Sequence, residues 1–108
     1  MIQRTRWQVI VRPHPDEADR VTPEQIDAGR AWLADRQAEG VIAEDPRCWA
    51  ETGGDVVLYA DTEEQALAVF ADYPLGPTVD LEPHRLVELD TGFNTLRGWQ
   101  RERARVHA

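Results

Sequence analysis

The sequence predicts a single α+β domain of the ferredoxin-like kind, on three observations. Strand-like and helix-like patterns follow one another in the order β-α-β-β-α-β. Both helical patterns open with a capping signature. The chain has 108 residues, 42% of them hydrophobic, enough for one packed domain and too few for two. In this arrangement two helices cover one face of a four-stranded antiparallel sheet.

The elements follow in order. Trp7-Gln8-Val9-Ile10-Val11-Arg12 is β-branched and aromatic, so it reads as a strand that Pro13 stops. His14 to Arg20 is a polar loop. Thr22 caps a helix over 23–39, with Pro23 at its first position, Gln25 closing a capping box and Gly40 as the left-handed cap. Ile26, Gly29, Arg30, Leu33 and Gln37 lie along one side of it, with Trp32 nearby. Val41–Glu44 and Arg47–Ala50 make a second strand, bulged at Asp45-Pro46. Thr52-Gly53-Gly54-Asp55 turns the chain into Asp55–Ala60, apolar on both faces and so a central strand.

Thr62 and Gln65 repeat the capping box, and Pro74 limits the second helix to 62–73. Thr78-Val79-Asp80-Leu81-Glu82 alternates strictly, Pro83 interrupts, and Arg85–Leu89 resumes. If Val79 and Leu81 face the helices, Asp80 and Glu82 fall on the bare face of the sheet. A bare face that is part apolar and part acidic suits a dimer enclosing a polar pocket.

Composition excludes several classes of function. The net charge of −8 argues against nucleic acid and anionic lipid as partners. There is no lysine, so neither a lysine Schiff base nor a phosphate-loop lysine is available. Cys48 is the single cysteine, which rules out an internal disulfide and favours a reducing cytoplasm. No apolar run approaches the ~20 residues of a membrane helix. The start, Met1 to Arg6, lacks the apolar core of a secretory signal. His14, His84 and His107 show no metal-binding spacing, and no Gly-rich phosphate loop is present, so no metal or cofactor is expected.

Tyr73-Pro74-Leu75-Gly76-Pro77-Thr78-Val79-Asp80-Leu81-Glu82 resembles the segment joining the second helix to the last strand in the muconolactone isomerase family. That family has a similar Pro-Leu-aromatic-Pro turn followed by an Asp-apolar-Glu strand. The element order over residues 7–89 agrees with it as well. The resemblance implies a dimeric α+β barrel, and a cofactor-independent isomerase that moves a double bond in a small unsaturated lactone. Gly76 stands where the family tends to have an aromatic residue, and residues 13–21 and 90–108 have no match. A polyketide-like compound handled by a cyclase, or a cofactor-free oxygenase of secondary metabolism, is the neighbouring implication.

Isomerisation beside a carbonyl needs a base, an acid and a holder for oxyanion charge. His14, Asp80 and Glu82 are the catalytic candidates: one imidazole titrating near neutrality and two carboxylates on one strand face. Their plain alternatives are a loop histidine and a solvated strand face. Arg12 and Arg85 are candidates for holding a substrate carboxylate or oxyanion, against ordinary ion pairing. Trp49 and Tyr59 are candidate pocket walls, against ordinary packing. Cys48 reads as a small buried apolar residue, and His84 and Glu44 as surface groups.

Residues 1–90 form the domain and 91–108 a tail. Residues 97–108 carry a net charge of +3, leaving −11 on the rest. Phe93, Leu96 and Trp99 recur at helical spacing, so the tail is expected either to dock on a partner subunit, with Trp99 at its pocket, or to fray. The expected function is cofactor-independent isomerisation or cyclisation by a homodimer or larger homo-oligomer. The alternative is a non-catalytic ligand-binding or assembly module.

Overall fold

The computed structural model describes residues 4–107. Among them no helix is long and apolar enough to cross a membrane. The chain is α+β: strands β1 (Arg6–Pro13), β2 (Arg47–Cys48), β3 (Gly54–Tyr59) and β4 (Val79–Arg85), and helices α1 (Pro23–Ala38), α2 (Glu63–Ala68) and α3 (Leu89–His107). The strands form one sheet in the order β2-β3-β1-β4, every neighbouring pair antiparallel. That order is compatible with a ferredoxin-like fold.

The capping chemistry sets both helix starts. Thr22 Oγ1 accepts from Gln25 N at 3.1 Å and Gln25 Oε1 accepts from Thr22 N at 2.9 Å, the reciprocal box. At α2, Thr62 Oγ1 accepts from Gln65 N, but Gln65 Oε1 reaches one residue further back, to Asp61 N. Gly40 takes φ +79 after α1, the left-handed conformation that a side chain disfavours.

Helix α1 buries a different stripe from the expected one. Gly29 and Trp32 are buried and Leu33 is half-buried, whereas Ile26, Arg30 and Gln37 are exposed. Trp32, the largest apolar side chain of α1, decides the rotation. Its ring centroid lies 5.2 Å from Phe70 and 4.9 Å from Tyr73, and its Nε1 donates to Asp72 Oδ1 at 3.0 Å. Phe70 and Tyr73 meet edge to face at 5.6 Å. This cluster explains why α2 stops early. Residues Val69–Asp72 tighten into a 3-10 turn, which stacks residues three apart on one side.

Val9, Trp32, Ile42, Val56, Leu58, Ala66 and Phe70 form the core, with Val9 and Leu58 fully buried. Burying a side chain such as Val9 or Leu58 contributes about 1.5–3 kcal/mol relative to exposure. The second strand is shorter than expected. Ile42 bridges Leu58, the chain then leaves the ladder, and Arg47 and Cys48 rejoin it opposite Asp55 and Gly54. The break falls at the expected Asp45-Pro46. In contrast, Pro83 does not interrupt β4, which runs unbroken with Pro83 opposite Val9. β4 is an edge strand, where a missing N–H costs no ladder bond if it faces outward.

The tail is neither frayed nor packed on the body: it is the 19-residue helix α3. Apart from half-exposed Gly92 and Gly98, every residue from Leu89 to Val106 is exposed. The Cα radius of gyration is 17.4 Å, against about 13 Å for a compact domain of this size. The two internal glycines each weaken a free helix by roughly 1 kcal/mol.

Candidate functional site

Strand alternation sorts the sheet into two faces. Trp7, Val9, Val11, Val56, Leu58 and Leu81 pack in or against the core under the helices. Their neighbours Gln8, Ile10 and Arg12 on β1, and Asp55, Val57 and Tyr59 on β3, point to the other face. Asp80, Glu82 and His84 on β4 join them, in register with Arg12, Ile10 and Gln8. The expected placement of Asp80 and Glu82 is therefore the observed one. This face is open along β4, where Asp80, Glu82 and His84 are exposed, while Asp55 and Val57 on the central strand β3 are buried.

His14 follows β1 and is pinned by its backbone. Its N–H donates to Thr78 O at 2.8 Å, and its carbonyl accepts from Glu17 N as a 3-10 turn begins at Pro15. This anchoring sets the imidazole beside β4, with Nε2 2.8 Å from Asp80 Oδ1. Nδ1 lies 3.6 Å from Glu17 Oε2. The Asp80 hydrogen bond leads in raising the His14 pKa above its ordinary value; burial opposes the rise, and the Asp80 charge and Glu17 add to it. The pair therefore favours an imidazolium beside a carboxylate, able to give a proton at one atom and take one at another.

Glu82 holds the next position along the same face. Its Oε2 lies 2.8 Å from His84 Nε2 and 3.7 Å from Arg12 Nη2. The His84 hydrogen bond, with Arg12 behind it, outweighs burial and lowers the Glu82 carboxyl below its usual range. Glu82 is thus a fixed anion and a weaker base than its position suggested. The Arg12 guanidinium also sits 5.8 Å from the Trp49 ring centroid, within cation–π range.

The face holds one group that the sequence did not single out. Asp55 is only 6% exposed. Its Oδ1 lies 2.7 Å from Arg47 Nη2 and accepts from Arg47 Nε at 2.8 Å, while its Oδ2 accepts from Trp49 Nε1 at 3.0 Å. Burial pushes its carboxyl upward, but Arg47, Trp49 and Gln8 together hold it below the usual range. The signal lay in the alternation Asp55-Val57-Tyr59, which places an acid on a central strand. Reading Asp55 as the end of a turn hid it. Trp49 is therefore tied to Asp55 from one side and faced by Arg12 from the other.

The remaining expected residues lie apart. Tyr59 stands toward the far end of the open face, with the Arg4 guanidinium 4.2 Å from its ring centroid. Arg85 is in register with Trp7, so it belongs to the opposite side of the sheet from Asp80 and Glu82, in a groove with Arg4, Arg6 and Glu88. Trp99 is 61% exposed on α3. Cys48, expected to be buried, is exposed because β2 is a two-residue edge strand.

A cavity of about 210 Å³ lies among Val11, Leu33, Phe70, Tyr73, Leu75 and Val79 on the helix side, and Arg47, Cys48 and Asp55 also line it. Gly29 brings α1 close to this wall, since a Cβ there would sit 3.0 Å from a Leu75 methyl. Burial, and secondarily Cys48, pushes the Tyr73 hydroxyl pKa up. His14, Asp80 and Glu82 do not line this space. Among the described residues no three His, Cys, Asp or Glu side chains come together as a metal-ligand set. No family model matches the chain, and no curated protein matches it.

Proposed function

We propose that the chain is a cofactor-independent isomerase or cyclase that moves a proton within a small unsaturated carbonyl compound, a lactone or polyketide-like molecule. The observation that carries this reading is the 2.8 Å contact between His14 Nε2 and Asp80 Oδ1, with Arg12 directly opposite Asp80 in the β1–β4 register. Asp80 takes a proton from a carbon conjugated with the carbonyl. Arg12 holds the developing oxyanion. The His14 imidazolium returns a proton to a different carbon of the substrate. The proton on Asp80 then crosses to His14, which restores the starting pair with no net proton change. Trp49 gives the substrate an apolar wall beside Arg12.

In this reading a second copy covers the open face and closes a dimeric α+β barrel. Half-buried Ile10 and Tyr59 support it, since they give the polar row an apolar surround. Cover over this row strengthens every charge interaction in it. The test is muconolactone in heavy water followed by proton NMR. Double-bond migration with deuterium uptake, lost in His14→Ala and in Asp80→Asn, is the expected result. A folded protein that neither migrates the bond nor exchanges the proton, with muconolactone and with a panel of unsaturated lactones, refutes the isomerase reading.

The helix-side cavity favours a second reading, passive binding of a small apolar molecule. The two readings differ in pH dependence. Proton return by the His14 imidazolium is lost as pH rises through its raised value, and apolar binding shows no such loss.

A further inference from the structure

Helix α3 is amphipathic, and among the described residues nothing covers its apolar side. Leu89 is 74% exposed, Phe93 53%, Leu96 52%, Trp99 61% and Val106 78%. These residues recur at intervals of three, four and seven, so they form one stripe along the helix. Trp99, Glu102, Arg103 and Val106 border an open notch on the helix itself. A long apolar stripe in water, on a helix weakened by Gly92 and Gly98, is costly, and nothing among the described residues covers it.

Charge says what covers it. Residues 97–108 carry a net +3 and the remainder of the chain −11. Among the described residues Arg97, Arg101, Arg103 and Arg105 form no ion pair. The helix is about 28 Å long at 1.5 Å per residue, and it leaves the body so that the longest molecular extent is 59 Å. Its basic end therefore cannot meet its own acidic body without breaking the helix. Every other copy of the chain offers the same acidic body, including Asp61, Glu63 and Glu64 around the start of α2.

We infer that α3 is an exchanged arm, which docks its apolar stripe and basic end on the acidic body of a second copy of this chain. Each copy gives one arm and receives one, so the contact closes on itself as a two-fold dimer. The arm does not require the sheet-to-sheet closure proposed above, and the two are separable by experiment.

The test combines sedimentation of the full chain with amide hydrogen exchange, at high and low protein concentration. The expected result is a dimer in which the α3 amides exchange more than about tenfold more slowly than after dilution to monomer. Phe93→Asp with Leu96→Asp is expected to abolish both the dimer and the protection. Arg101→Glu with Arg105→Glu, which leaves the apolar stripe in place, is expected to weaken both and to remove their dependence on salt. Circular dichroism and exchange in β1 and β3 report whether each variant keeps its body. A chain that is monomeric at every concentration overturns the arm. A dimer whose α3 exchanges as a free helix also overturns it, while leaving a face-to-face barrel standing. Two folded variant pairs that dimerise like the parent chain overturn it as well.

Discussion

Arg47 Nη2 lies 2.7 Å from Asp55 Oδ1, joining the short edge strand β2 to the buried start of β3. Asp55 also takes the Trp49 indole N–H, so one carboxylate holds an edge strand and the loop after it. Asp55→Ala is expected to destabilise the chain by about 1–3 kcal/mol, mainly by leaving the Trp49 indole N–H without its acceptor. Urea unfolding at neutral pH measures this. Because the folded pKa of Asp55 is depressed, its stabilisation is complete above the ordinary value of 3.8 and is lost as pH falls through the lower folded value. Asp55→Asn is expected to remove that acid-limb dependence, which melts between neutral pH and the acid limb record.

His14 carries the opposite sign. Its folded pKa lies above the ordinary 6.5, so the contribution of its pairing is complete below 6.5 and is lost as pH rises through the raised folded value. The imidazole C–H resonances in NMR titrate with the folded midpoint. Asp80→Asn is expected to bring that midpoint down toward 6.5, and Glu17→Gln to move it less. An unchanged midpoint in Asp80→Asn would show that the 2.8 Å contact does not persist in solution.

Two glycines with positive φ are expected to respond differently to alanine. Gly40 has φ +79 and open space where a Cβ would stand, so Gly40→Ala costs only the backbone term, about 1 kcal/mol. Gly53 has φ +95, and its Cβ would lie 2.6 Å from the Val11 carbonyl oxygen. Gly53→Ala therefore adds a clash to the same backbone term, and is expected to cost more than Gly40→Ala. Thermal melts of the two variants side by side give the comparison.

Trp32 ties α1 to the segment after α2 through both ring contacts and its bond to Asp72. Trp32→Ala is expected to cost about 3–5 kcal/mol. Trp32→Phe keeps a ring but loses the indole N–H, and is expected to fall between the two. Near-ultraviolet circular dichroism follows the loss of the fixed aromatic cluster.

Local chemistry made much of this fold legible. Thr22 with Gln25 marks a helix start by side-chain to backbone bonding alone, and Gly40 marks its end by φ alone. Asp45-Pro46 breaks a strand because proline has no N–H to give. Features set by distant packing were not legible. The buried stripe of α1 follows Trp32, whose partners Phe70 and Tyr73 lie some forty residues on. The α3 helix was half-visible, because Phe93, Leu96 and Trp99 show its period while Gly92 and Gly98 argue against a helix. At the open face, Asp80 and Glu82 were legible from strand alternation, whereas His14 and Arg12 stood out only by their chemistry, an imidazole in the loop after β1 and a guanidinium at that strand's end. The role of Asp55 was not, because it depends on which residues of β2 and the following loop come back across the sheet.

Pro83 in β4 has a consequence for how this sheet meets other sheets. Its imide nitrogen gives the outer edge of β4 no donor at that point, and a strand laid alongside would find a gap in the ladder. At the opposite edge, β2 offers only Arg47 and Cys48 in regular pairing. Both margins are poor templates for continuing the hydrogen-bonded ribbon, so end-to-end growth of the sheet into fibres is disfavoured.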